Sequence, residues 1–165
     1  MKNIKNISIT GVMAAMITMM ILYVCHVPIG MNGGYIHFGD AFIYMSAALL
    51  PRPYALLAAA VGAGLADLIA APMWAPATII IKMLIVLLFS SKSKKILTKR
   101  NMIAAVLAYF VSAFGYYVAE CILFEEGAVL LVVLGQELVQ SLGSAIVFLV
   151  LGTALDKMGM KKRLD

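Results

Sequence analysis

Charge is scarce in this chain. Asp, Glu, Lys and Arg make up only 13% of its 165 residues, while 64% are apolar; an ordinary soluble domain is about a quarter charged and half apolar. A water-soluble fold is therefore excluded. So is a separate catalytic domain, because six membrane crossings of about 20 residues would take about 120 residues on their own. Cysteine is almost as rare. Cys25 and Cys121 form no CxxC and no Cys/His cluster, which excludes a zinc site and a disulfide framework. Both fall near expected outer helix ends and read as packed thiols rather than as a bridge. GxxxxGK[ST], HExxH and GxSxG are all missing, which leaves neither ATP hydrolysis nor a familiar intramembrane protease. No internal repeat of the kind that marks many secondary transporters is present. What can be expected is a pocket without an engine, holding no cofactor and no metal.

The apolar residues fall into six runs. The first, Ile7 to Val24, follows Lys2 and Lys5 in the manner of a secretory signal. No A-x-A site leads into a soluble domain, however, and more membrane follows, so it reads as a retained first helix. His26 to Tyr35, with Pro28, Gly30, Gly33 and Gly34, has loop chemistry. A second helix, about Ile36 to Leu50, ends at Pro51-Arg52-Pro53, and a third spans about Tyr54 to Ala71. Ala71 to Pro76 is the next break. A fourth helix covers about Ala77 to Phe89, a fifth about Met102 to Leu123, and a sixth begins between Gly127 and Gly135 and ends near Leu155. The second and fourth, at about 22 and 20 Å, fall short of a roughly 30 Å hydrocarbon core. They are expected to be tilted partners inside the bundle or to extend into the adjoining breaks.

Charge placement supports this count independently. Twelve of the 13 cations (Lys2, Lys5, Arg52, Lys92, Lys94, Lys95, Lys99, Arg100, Lys157, Lys161, Lys162 and Arg163) fall on one face of a six-helix path. The positive-inside rule makes that face, and both termini, cytoplasmic. The net charge of +5 is then topology and not a nucleic-acid footprint. The expected architecture is one all-α, six-helix domain over residues 1–165, embedded in the cell membrane and surrounded by lipid. Asn32, Trp74 and Glu126 would face outward.

Ionisable residues inside a membrane are costly and are functional candidates by default. Here they are His37, Asp40, Asp67, Lys82, Glu120 and Glu137. Five sit in the outer half of their helices, with Lys82 near mid-membrane, which describes a polar pocket opening outward. Tyr109, Tyr116 and Glu120 share one helical stripe with Tyr117 beside them, and Glu137, Gln140, Ser141 and Ser144 share another. The tyrosines and serines read first as interhelical hydrogen-bond glue and second as a ligand wall. For Glu120 and Glu137 the order is reversed, since glue seldom requires a full charge. Trp74 is either an interfacial anchor or an aromatic lid over a flat ligand. Lys82 reads as the partner of Asp67 or Asp40 ahead of direct substrate contact. His37 and Asp40 share a helical face but lack a third metal ligand nearby, and the aspartate could equally cap the Gly-rich loop. On the first helix Gly11 and Ala15, and one position along Ala14 and Thr18, form small-xxx-small pairs. They suit close packing inside the protein or docking onto another membrane protein.

Gly34-Tyr-Ile-His-Phe-Gly-Asp40, then Ala47-Ala-Leu-Leu-Pro51 and Gly62-Ala-Gly-Leu-Ala-Asp67, together resemble the S components of energy-coupling factor (ECF) transporters, small six-helix vitamin-binding membrane proteins. The resemblance extends over essentially the whole chain. Gly11 and Ala15 stand nearest the family's Ala-xxx-Ala docking face, with Gly in the first place. The resemblance implies capture of a vitamin outside, with a transmembrane coupling subunit and two cytoplasmic ATPase subunits as partners. It also implies a ligand in the outer half, against helices four to six and beneath the His26 to Tyr35 loop. Asn32 and Tyr35 of that loop join Trp74, Tyr116, Tyr117, Glu120, Glu137, Gln140, His37, Asp40 and Lys82 as candidate ligand contacts. Four intramembrane carboxylates against one lysine suggest a small, flat, cationic or donor-rich ring, such as thiamine, its pyrimidine moiety or a vitamin B6 form. A stand-alone small-solute transporter or channel is the runner-up.

Overall fold

A computed structural model describes residues 2–24, 26–28, 34–124 and 130–164, apart from the side chains of residues 2, 163 and 164. The helices are α1 (Lys2–Tyr23), α2 (Asp40–Leu49), α3 (Arg52–Ala70), α4 (Ala75–Leu88), α5 (Lys99–Phe124), α6 (Leu130–Lys157) and a short α7 (Met160–Leu164). A 3₁₀ turn, Pro72–Trp74, links α3 to α4. Four helices, α1, α3, α5 and α6, are long and apolar enough to cross a membrane. Their outward faces are greasy: Phe114 and Ile122 are 72% and 73% exposed, whereas Asp40 and Lys82 are 0% exposed. A surface of bare hydrocarbon around a polar interior is stable only where the solvent is lipid.

The shortness of α2 has a structural reason. It has ten residues, about 15 Å of helix, and starts at Asp40, four residues after the Ile36 expected from the sequence. Eight of the ten are buried, because α2 packs against α1, α3, α4 and α6 at once. It is an interior element and presents little of itself to lipid. The segment before it also differs from a plain loop. Val27–Pro28 (β1) and Tyr35–Ile36 (β2) pair antiparallel, Val27 opposite Ile36 and Pro28 opposite Tyr35. The loop residues between them that were singled out from sequence, Gly30, Asn32 and Gly33, lie outside the described residues, as do Cys25 and Glu126.

Helix α3 is built for close approach. Ala55, Ala58, Ala59, Gly62, Ala63 and Ala66 are buried, and α1 lies against them. A Cβ on Gly62 would stand 2.8 Å from the Ala14 carbonyl oxygen and 2.8 Å from Ile17 Cβ. Thr18 hangs its hydroxyl between two carbonyl acceptors, Gly62 at 2.8 Å and Ala14 at 3.0 Å. At the basic end of the bundle, polar side chains satisfy backbone groups of the loop between α4 and α5. Asn101 accepts from Ser90 N–H at 2.9 Å and donates to the Ser90 and Ile96 carbonyls. The Asp156 carboxylate accepts from the N–H groups of Ile96 and Leu97 at 2.7 and 3.0 Å. Gly159, at φ 62°, adopts the left-handed conformation that ends α6 and turns the chain into α7. From there Lys161 Nζ reaches the Ala48 carbonyl near the end of α2, at 2.5 Å.

Candidate functional site

Asp40 opens α2, with Gly39 as its N-cap, a position where a carboxylate also complements the helix dipole. Lys82, halfway along α4, places its ammonium 2.9 Å from each of the two Asp40 oxygens. Of the two aspartates open to Lys82 from the sequence, the structure pairs it with Asp40. Gln140 on α6 completes the junction, its Nε2 lying 3.5 Å from Asp40 and its Oε1 accepting from His37 N–H at 3.2 Å. His37 Nδ1 accepts from Gly39 N–H at 3.0 Å, so the ring is the neutral tautomer with its proton on Nε2. Four candidates thus meet in one buried knot joining α2, α4, α6 and the segment that leads into α2. Gly143 makes room for it: a Cβ there would stand 2.1 Å from a Phe38 ring carbon, so a larger residue would push that ring aside.

A second layer adjoins this knot at the hairpin end. The Tyr35 hydroxyl donates to Asp67, Thr78 and Tyr116 share a hydrogen bond at 2.9 Å, and Lys82 sits 5.2 Å from the centre of the Tyr116 ring. Trp74 is buried, edge-on to Tyr116 at 6.0 Å and tilted against Phe124 at 5.7 Å. His26 stacks on Tyr35 at 4.2 Å. These rings from the hairpin, the 3₁₀ turn and α5 make an aromatic cluster at the end of the bundle away from the basic loop. Within this arrangement Trp74 is part of a wall.

Other candidates separate. Glu120 and Glu137 are both buried. Tyr117 does not join Tyr116; it runs along α5 toward Cys121 one turn on. Tyr109 reaches the Leu134 carbonyl at 3.5 Å, the glue reading of that stripe. Ala14 and Thr18 are spent on α3, which corrects their assignment to a docking face, because the 100° step of a helix turns them inward while Gly11 and Ala15 stay exposed. Thr78, which bonds Tyr116 inside this arrangement, was not among the sequence candidates. A signal was available: it lies four residues, one helical turn, from Lys82.

The profile of the family described as "ECF-type riboflavin transporter, S component" matches residues 1–157. No curated protein matches the chain. With that match running over nearly the whole length, on apolar helices enclosing a polar core, the chain belongs to the S components of ECF transporters, multi-pass subunits of the cell membrane from a family of transport proteins rather than enzymes.

Proposed function

We propose that this chain is the subunit that captures riboflavin from outside the cell, spanning the membrane with six helices and keeping both termini in the cytoplasm. The basic end, with Arg52, the Lys92 to Arg100 loop and Lys157 to Lys162, is then the cytoplasmic one. The hairpin end opens outward. The observation that carries the choice of ligand is how the carboxylates are used. Asp40 is neutralised by Lys82 and Asp67 takes the Tyr35 hydroxyl, so the interior is less anionic than a count of carboxylates suggests. Beside these groups stand Tyr35, Trp74 and Tyr116, stacking surfaces for a broad ring. A flat, uncharged ring system rich in hydrogen-bonding groups fits such a site, and the family's description names one. The thiamine or vitamin B6 reading keeps one observation in its favour, that Glu120 and Glu137 are both buried.

Capture would leave transport to the partners, a transmembrane coupling subunit and two cytoplasmic ATPases. Gly11 and Ala15, exposed on the lipid side of α1, supply a flat surface for the coupling subunit. Titrating purified protein into riboflavin and following its fluorescence tests the ligand. Saturable quenching that thiamine and pyridoxamine do not relieve is expected. Displacement of the flavin by thiamine, or no quenching at all, would overturn the choice.

A further inference from the structure

The face of the bundle formed by α4 and α5 is not smooth. A groove of about 740 Å³ runs between the two helices. Where they meet, a Cβ on Gly115 would stand 2.7 Å from Ile81 Cγ1; these two residues, with Ala77 and Ala119, are buried or half-buried and form a low floor. Large side chains stand along the edges, Ile80 and Leu84 on α4 and Phe110, Phe114 and Ile122 on α5, all of them exposed. Among the described residues that line the groove, none carries a side-chain N–H or O–H group. On α5 it reaches from Phe110 to Leu123, about 20 Å of helix, and on the other side it ends beside the 3₁₀ turn at Met73. It therefore occupies the half of the bundle nearer the hairpin and stops short of the basic loop.

What fills such a groove follows from what surrounds it. Its edges belong to the same bare hydrocarbon surface that faces lipid, so the groove is continuous with the membrane. A water molecule would find no polar partner in it, and a polar ligand would leave its own donors and acceptors unpaired. A void would forfeit the dispersion contacts of every lining atom. Another membrane helix fits poorly, because helices in lipid associate through small residues that let backbones approach, and here the small residues lie at the bottom, between ridges of Phe, Ile and Leu. The strip proposed for the coupling subunit is on α1, and α3 stands between α1 and α4. Length agrees with a lipid tail: one leaflet is about half of a roughly 30 Å hydrocarbon core, and the groove accepts a chain of that reach lengthwise.

We infer that the α4–α5 groove is a binding site for one acyl chain of a membrane phospholipid, held lengthwise and exchanging more slowly than the lipid around the rest of the bundle. Between hydrocarbon and hydrocarbon inside a bilayer, affinity rests on packing rather than on escape from water. A flat helix face touches a chain on one side, whereas the groove touches it on the floor and along both edges, and dispersion grows with each added pair of atoms. Since the lining has nothing to offer a charged or hydrogen-bonding group, it selects the chain and is indifferent to the headgroup. With the hairpin end outward, as proposed above, the lipid comes from the outer leaflet; the site itself does not depend on that orientation.

The chain carries its own reporter. Trp74 is its single tryptophan and packs with Ala119, while Ala77 lies against the same cluster, so the indole stands behind the floor of the groove. Bromine on an acyl chain quenches tryptophan emission only at short range. The test titrates phosphatidylcholine brominated along its chains into the purified full-length protein in detergent micelles. Trp74 quenching should saturate at one lipid per protein, and unbrominated phospholipid of the same chain length should reverse it whatever its headgroup. Val118→Phe, which places a ring in the groove from an exposed position on α5, should weaken this binding roughly fivefold or more, as overfilling a packed site does. Leu142→Phe, a ring added on the exposed face of α6, should leave it unchanged. Quenching with no saturating part, or saturable quenching that Val118→Phe leaves intact, would overturn the site. Protection of Trp74 that grows with protein concentration would also overturn it, by giving the groove to a second copy of the chain.

Discussion

Replacing Lys82 by methionine keeps the apolar stem and removes the ammonium. Asp40, 0% exposed, is then left with the Gln140 amide at 3.5 Å as its remaining side-chain contact. At 2.9 Å and an effective dielectric near 20, the lost attraction is roughly 6 kcal/mol. Part of it returns as Gln140 turns toward the carboxylate. Removing one member of a buried pair costs about 3–5 kcal/mol, and the same range is expected for Lys82→Met, read as the unfolding free energy in mixed micelles titrated with SDS. The companion variant is Lys82→Met with Asp40→Asn, which deletes both charges and keeps an oxygen for Gln140. It should recover to within about 2 kcal/mol of wild type, because a matched pair returns little beyond its own desolvation cost. If the single variant lies within about 1 kcal/mol of wild type, or the double is no better than the single, the pair is not what holds α2 to α4.

Gly62→Ala should cost about 1–3 kcal/mol in the same unfolding measurement, since its new methyl meets the Ala14 carbonyl at 2.8 Å; Gly64→Ala, which meets only the flexible tip of Ile79, should cost less, and the reverse order would refute the α1–α3 contact. Gly11→Leu should abolish uptake in cells while the purified protein binds flavin as before, because a Cβ there meets nothing within 4 Å; parallel loss of both would make Gly11 an internal packing residue. With Cys25 and Cys121 replaced, a cysteine at position 95 should resist a membrane-impermeant thiol reagent in intact cells and react after lysis. Labelling in intact cells would reverse the proposed orientation.

Helices were legible where hydrophobicity runs long, as for α3, whose expected Tyr54 start and Ala71 end lie within two residues of the observed Arg52 and Ala70. Errors gathered where tertiary contacts set the boundary. Residues 36–39 carry the apolar character of a helix start, yet Ile36 pairs with Val27 in a strand and His37 turns its ring back onto Gly39 N–H. The charged members of the site announced themselves because charge in lipid is conspicuous. Thr78, bonded to Tyr116, did not, because a hydroxyl within an apolar run is ordinary and only the packing of a neighbouring helix shows what it meets. The inward turn of Ala14 and Thr18 belongs to the same class. Small residues on both sides of α1 look alike until α3 covers one of them.

Placing α2 inside the bundle separates the groups proposed for binding from the strip proposed for docking. The hydrogen bonds of the Asp40–Lys82 knot run among α2, α4, α6 and the segment before α2. The exposed strip of Gly11 and Ala15 belongs to α1, whose main neighbour is the alanine-rich α3. Signals between the two must therefore pass through the α1–α3 seam or through the few contacts α1 makes with α2, such as Ile21 beneath Gly39, where a Cβ would stand 2.4 Å from Ile21 Cγ1. The His26 ring, bonded to the Ile21 carbonyl at 2.9 Å and stacked on Tyr35, lies on that same route. A ligand that rearranged Tyr35 would load the end of α1 directly, and α1 carries the strip proposed for docking.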